Sequence, residues 1–139
     1  MTAKKTITVE TLIKAPIEKI WEFWTNPEDI TKWCTASEDW HTTRAENNLK
    51  TGGKFLTRME AKDGSFSFDF EGIYTDVITN EKIGYTTLDD RKVDITFSQT
   101  ESGIQITETF EAENENPIEM QKMGWQAILN NFKTYIEKQ

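Results

Sequence analysis

The feature that most constrains the fold is a long central stretch, residues 40–112, in which apolar and polar residues alternate. Turn residues such as Gly52-Gly53, Asp63-Gly64 and Asn80-Glu81 interrupt the alternation repeatedly. A period of two is typical of strands that bury one face, and short turns join neighbouring strands in antiparallel order. The stretch therefore predicts a meander of about six strands with one packed face and one solvated face.

The residues before this stretch predict one further strand and two short helices. Residues 6–13 alternate in the same way as the central strands. Pro16 suits the first turn of a helix, and apolar residues follow it at helical spacing. These residues are Ile17, Ile20, Trp21 and Trp24. Asn26 is a suitable N-cap for a second helix that begins at Pro27.

The last part of the chain predicts a long helix. Asn116, Pro117 and Glu119 are a cap, a first helical residue and an acidic residue three positions after the cap. An apolar stripe of helical period then follows, formed by Trp125, Ile128, Leu129, Phe132 and Ile136. We therefore expect an α+β domain, with helices on one side of an antiparallel sheet. The length of 139 residues suits a single domain spanning residues 1–139.

Charge and cysteine content exclude several classes of protein. The net charge of −8 argues against nucleic acid or an anionic membrane as partner, because both attract basic surfaces. The single cysteine, Cys34, excludes a disulfide framework and a site built from several thiolates. No apolar run is long enough to span a bilayer, so we expect no membrane insertion and a cytoplasmic location.

The predicted buried face of the sheet is rich in aromatic rings. Its ring-bearing positions are Phe55, Phe68, Phe70, Tyr85, Phe97 and Phe110. The helix opposite carries Met120, Met123 and Gly124, which are flexible or small and do not obviously fill the space between the layers. The pattern leaves two interpretations open, an interdigitated core or a pocket. A dry pocket of ~300 Å³ would cost roughly 7 kcal/mol, so a pocket would have to be small, hydrated or occupied.

Few polar residues are candidates for the inward face. Glu108 has the parity of its buried strand neighbours, so a regular strand points it inward, whereas a bulge would let it reach solvent. The facing of the strand around Trp40 stays open. If Trp40 points inward, Arg44 does too and could pair with Glu108; otherwise His41 becomes a candidate for proton transfer. The residues nominate no acid–base pair and no cluster of metal ligands.

Several motifs, in the right order, resemble the START-like helix-grip (SRPBCC) superfamily. They open with Lys14-Ala15-Pro16-Ile17-Glu18-Lys19-Ile20-Trp21, Trp24-Thr25-Asn26-Pro27 and Trp33. Others resemble its branch related to the heat-shock-protein-90 ATPase activator C-terminal domain. These are Leu49-Lys50-Thr51-Gly52-Gly53-Lys54-Phe55, Phe70-Glu71-Gly72-Ile73-Tyr74, Asn80-Glu81-Lys82-Ile83 and Gly124-Trp125.

The resemblance implies a curved antiparallel sheet of six or seven strands that grips a long C-terminal helix, with a pocket between them. It also implies three possible functions. The first is non-enzymatic binding of a small hydrophobic or aromatic molecule. The second is a co-chaperone-like interaction that stimulates a chaperone ATPase, although full-length activators carry a further domain for which 139 residues leave no room. The third is cyclase-like or hydrolytic catalysis in the same cavity.

We expect the first of these functions, with no cofactor, no metal and a monomeric or homodimeric protein. A chaperone remains a possible partner and catalysis remains an open alternative. The residues expected to contact the ligand are Trp40, Phe55, Met59, Phe68, Phe70, Tyr85, Phe97, Glu108, Phe110, Met120, Met123 and Gly124.

Overall fold

The computed structural model describes residues 5–35 and 37–138, and within them seven antiparallel strands form one sheet. The strands are β1 (Thr6–Ile13), β2 (Trp40–Asn47), β3 (Lys54–Ala61), β4 (Ser67–Ile78), β5 (Lys82–Thr87), β6 (Lys92–Thr100) and β7 (Gly103–Glu111). The helices are α1 (Ile17–Thr25), α2 (Pro27–Trp33) and α3 (Ile118–Glu137). This arrangement confirms the predicted α+β class.

The sheet curls into a half-barrel. Strands β2 to β7 follow one another as a meander, and β1 pairs with β7, which gives the order β1-β7-β6-β5-β4-β3-β2. Register irregularities occur between Thr42 and Arg44 in β2 and between Tyr74 and Asp76 in β4. Such bulges increase local twist and bend a strand, which helps an open sheet to curve.

Of the two N-caps predicted from the sequence, Asn26 is confirmed and Asn116 is not. Asn26 caps α2 as predicted, because its Oδ1 accepts the backbone N–H of Glu28 at 3.1 Å. Helix α3 begins at Ile118, with Pro117 in the cap position and no side-chain cap. The amide Nε2 of Gln121 instead donates to the carbonyl oxygen of Asn116 at 2.8 Å.

The core fills one end of the concave face with packed rings. Trp24 lies 4.9 Å from Trp33 and 4.8 Å from Phe132, measured between ring centroids. Phe97 packs edge-on against Trp21 at 5.4 Å in the same cluster. The second half of α3 covers this end with its buried residues Leu129, Phe132 and Ile136. None of the helices in the described part of the chain is long and apolar enough to cross a bilayer.

Candidate functional site

A cavity of about 530 Å³ lies between the concave face of the sheet and the first half of α3. Strands β3, β4 and β5 form its broadest wall, and the segment at α1 and α2 closes the end nearest the packed core. Its volume falls within the ~300–1,000 Å³ range of small-molecule sites. A dry cavity of this size would cost roughly 13 kcal/mol, comparable to the whole stability of a domain, so the space must hold water or a ligand.

The sheet wall of the cavity is a cluster of aromatic rings centred on Phe55. The Phe55 ring lies 4.7 Å from Tyr85, 5.3 Å from Tyr74 and 5.8 Å from Phe70. Phe55 faces Gly72 across the β3–β4 ladder, and a Cβ at Gly72 would come within 2.6 Å of the Phe55 ring. The missing side chain at Gly72 therefore allows the ring to lie against the strand.

Helix α3 forms the opposite wall with one face of its first half. The residues on this face are Met120, Gln121, Gly124, Trp125 and Ile128. Trp125 stacks on Phe110 with ring centroids 3.9 Å apart and planes 12° apart, which fixes the helix on the sheet. A Cβ at Gly124 would meet no atom within 4 Å, so this position leaves open space beside the cavity.

Glu108 on β7 places a carboxyl group in the cavity wall. The alternating burial of β7 turns it inward with Ile106 and Phe110, and it is only 5% exposed. Among the described residues, none donates a hydrogen bond to this carboxyl and no cation pairs with it. Burial raises the pKa of Glu108 to about 8, because the charged form loses its hydration.

Two other titratable groups lie close enough to Glu108 to interact with its charge. Burial raises the pKa of the Cys34 thiol to about 12, and Glu108 adds to the rise. Burial also raises the pKa of the Tyr85 hydroxyl well above its usual value, again with a contribution from Glu108. Both groups line the cavity and are protonated at neutral pH. The surroundings of Glu108 therefore disfavour additional negative charge.

The structure brings most of the predicted ligand-contacting residues together. Those that line the cavity are Trp40, Phe55, Met59, Phe68, Phe70, Tyr85, Glu108, Met120 and Gly124. Their contact with a ligand stays a prediction. The inward position of Glu108 agrees with its strand parity and not with the alternative of a bulge that exposes it.

The remaining predicted residues lie away from the cavity. Phe97 packs into the ring cluster at the filled end of the sheet, and Phe110 lies beneath Trp125. Met123 is 72% exposed on another face of α3. Strand parity correctly places Phe97 and Phe110 on the concave face of the sheet. It does not distinguish the packed end of that face from the end that forms the cavity.

In strand β2, the structure shows that Trp40 and not His41 faces the cavity. Trp40 lines the cavity and lies 5.9 Å from Phe68, while His41 is exposed. The expectation that Arg44 would share the inward side with Trp40 is wrong. The bulge between Thr42 and Arg44 breaks the alternation, and Arg44 forms a surface ion pair with Glu46.

Sequence reasoning missed several residues of the wall. They are Trp24, Trp33, Cys34, Thr57, Gln121, Trp125 and Ile128, among others. Trp24, Trp125 and Ile128 belong to the apolar stripes that predict how the helices pack on the sheet. Thr57 shares the parity of Phe55 and could have been found from that signal.

Comparison with known proteins places the chain in a family. The family model described as activator of Hsp90 ATPase homolog 1-like protein matches residues 14–137. No match is found among the curated proteins.

Solved structures of similar proteins support the same assignment. An AHSA1-like protein from Aeromonas hydrophila is 41% identical, with a TM-score of 0.91 over 96% of this chain and 93% of that chain. A protein from Cytophaga hutchinsonii is 53% identical, with a TM-score of 0.83 over 96% and 92%. A Chromobacterium violaceum protein, 24% identical with a TM-score of 0.85 over 96% and 98%, shares the fold. The chain therefore belongs to the family of activator of Hsp90 ATPase homolog 1-like proteins.

Proposed function

We propose that this protein binds a small, largely apolar or aromatic molecule in the cavity between the sheet and α3, without transforming it. The observation that carries the proposal is the cavity of about 530 Å³, which rings line on several sides. Aromatic walls provide large contact areas and favourable ring–ring geometry for a flat ligand. Polar groups are few, which is the usual composition of a site that selects by shape and one or two hydrogen bonds.

The size of the cavity sets an expected affinity. Burying ~300 Å² of apolar ligand surface contributes roughly 7 kcal/mol before the costs of association. We therefore expect dissociation constants in the micromolar range for molecules that fill part of the space.

The arrangement of titratable groups supports binding over catalysis. General acid–base catalysis requires proton donors and acceptors within hydrogen-bond reach of the reacting group. Glu108 is the buried carboxyl of the site, and no described side chain is hydrogen-bonded to it to form an acid–base pair. His41, the only histidine, lies on the exposed face of β2.

The test is native mass spectrometry of the purified protein, followed by thermal unfolding with aromatic, steroid-like and fatty-acid compounds. A bound molecule stabilises the folded state by mass action, so one class should raise the melting temperature by several degrees at saturation. A protein that retains nothing and responds to no class would contradict the proposal. That result would redirect work to the outer surface and to a chaperone partner.

A matched pair of variants at Gly124 shows whether the compounds bind in this cavity. Gly124→Phe places a ring in the open space beside the helix and should abolish the thermal shift while the protein stays folded. Gly124→Ala adds one methyl group and should retain the shift. Normal binding to a folded Gly124→Phe variant would place the ligand elsewhere.

A further inference from the structure

Glu108 is a carboxyl in the cavity wall that has neither a hydrogen-bond donor nor a cation beside it among the described residues. Glu108 as a residue is only 5% exposed and lines the cavity. An ionised carboxylate in an apolar site is costly unless a cation or several donors compensate it. A molecule bound in the cavity can supply the missing cation or hydrogen-bond donors.

The charges around the cavity favour a cationic occupant. Glu113 also lines it, in addition to Glu108, as does Glu46, whose carboxylate already pairs with Arg44 at the surface. Arg91 is the one basic residue among the described lining residues, and its Nε already binds the Asp89 carboxylate at 2.8 Å. Acidic groups at a cleft raise the local concentration of cations and repel anions.

The other groups that face Glu108 are neutral or aromatic. Cys34 at the end of α2, Tyr85 on β5 and Tyr74 on β4 are all held in their protonated forms by burial. The face of α3 that lines the cavity carries no titratable side chain. The rings of the walls offer π-faces, which attract organic cations in sites shielded from water.

We propose that the ligand of this cavity is an organic amine with an aromatic or apolar body, whose ammonium group pairs with the Glu108 carboxylate. This inference rests on the proposed function, because it names the class of ligand that the cavity takes. The body of the ligand packs between Phe55, Phe70 and Trp125, and the charged end reaches β7.

The pairing has a measurable consequence for protons. With a pKa of about 8, Glu108 is mostly protonated in the free protein at pH 7. A cation beside it favours the ionised form, so binding releases close to one proton per site. Affinity for the amine should consequently rise as pH increases from 7 towards 8. A neutral ligand that accepts a hydrogen bond from the protonated carboxyl would show the opposite dependence.

The experiment compares four naphthalene probes by isothermal titration calorimetry at pH 7, in phosphate and in Tris. Naphthylethylamine is the cation, ethylnaphthalene the apolar control, acetylnaphthalene the neutral acceptor and naphthylacetate the anion. We expect the amine to bind at least about tenfold more tightly than ethylnaphthalene, equivalent to about 1.4 kcal/mol, and the anion to bind most weakly. The difference in heat between the two buffers reports the released proton.

Two variants test the role of Glu108. Glu108→Gln should remove the preference for the amine over ethylnaphthalene, measured as the ratio of the two dissociation constants. Glu101→Gln makes the same side-chain replacement in the exposed β6–β7 turn, away from the cavity, and should bind the amine as the unmodified protein does. If Glu108→Gln does not fold, proton release by the unmodified protein decides the question.

The outcomes separate this inference from the proposed function. If acetylnaphthalene binds more tightly than the amine and no proton is released, Glu108 acts as a hydrogen-bond donor and the cationic class is overturned, while the cavity remains a binding site. If the amine shows no advantage over ethylnaphthalene, the inference fails in the same way. If none of the four probes binds, the inference fails, and the proposed function fails with it when the steroid-like and fatty-acid compounds also give no thermal shift.

Discussion

At the scale of single residues, Glu108 is where the chain departs most from an ordinary buried strand face. Its neighbours of the same parity, Ile104, Ile106 and Phe110, are apolar and fully buried. A carboxyl there has no packing role that an apolar residue would not fill better. A buried carboxyl with a raised pKa in the wall of a cavity is the pattern expected of a group that serves a ligand.

The raised pKa of Glu108 predicts how stability depends on pH. The folded state holds the proton to a pKa of about 8, whereas the unfolded chain releases it near the ordinary value of 4.5. Folding therefore takes up a proton between these values, and the free energy of unfolding falls as pH rises. The contribution of this group is up to about 1.4 kcal/mol per pH unit, and it levels off above pH 8.

Urea unfolding of the ligand-free protein and of Glu108→Gln between pH 5 and pH 8 measures this effect. The variant should lack the slope, so the difference between the two proteins should grow with pH in favour of the variant. Glu101→Gln, which changes an exposed glutamate, should remain parallel to the unmodified protein. Parallel curves for Glu108→Gln would mean that the carboxyl is hydrated.

At the scale of elements, α3 has two halves with different environments. The second half buries Leu129, Phe132 and Ile136 against the sheet and the short helices. The first half lies over the cavity, and Met120 there is 58% exposed. The stacked pair of Trp125 and Phe110 marks the boundary between them.

Gly124 predicts a gain in stability from a small change in α3. Glycine inside a helix costs roughly 0.5–1 kcal/mol relative to alanine, because the unfolded chain is freer. A Cβ at this position meets no atom within 4 Å, so alanine introduces no clash. Gly124→Ala should therefore raise the free energy of urea unfolding by roughly 0.5–1 kcal/mol. A loss of stability would show that the helix is closer to the sheet wall than described.

At the scale of the whole molecule, one end of the concave face of the sheet is filled with packed rings and the other end forms the cavity. The ring cluster of Trp21, Trp24, Trp33, Phe97 and Phe132 fills the concave face beneath the short helices. The other end is the cavity, over which the first half of α3 lies. Local opening should therefore be easier at the cavity end.

Amide hydrogen exchange tests this division. We expect the amides of residues 122–126 to exchange faster than those of residues 130–136 in the free protein. A ligand in the cavity should slow exchange at 122–126 and leave 130–136 nearly unchanged. Uniform protection along α3, with or without ligand, would contradict the division into two ends.

The strands, the helices and their order could be predicted from local pattern. Alternation over residues 6–13 and 40–112 depends only on which side chains point to the same face of a strand. The helical stripe ending at Ile136 depends in the same way on a period of 3.6. Parity predicted an inward Glu108 and left a bulge as the alternative, and the structure shows the inward position. The capping role of Asn26, expected from its residue type and place before Pro27, is confirmed.

Only the tertiary structure decided which part of the concave face is filled and which is open. Phe97 and Phe55 have equivalent patterns in the sequence, yet one packs under α1 and the other lines the cavity. The bulge at Thr42 and Arg44 likewise turns Arg44 outward, against its parity with Trp40. Periodicity reports the face of each residue, whereas the curl of the sheet and the position of α3 determine how much space lies above that face. These depend on contacts between segments that are distant in the chain.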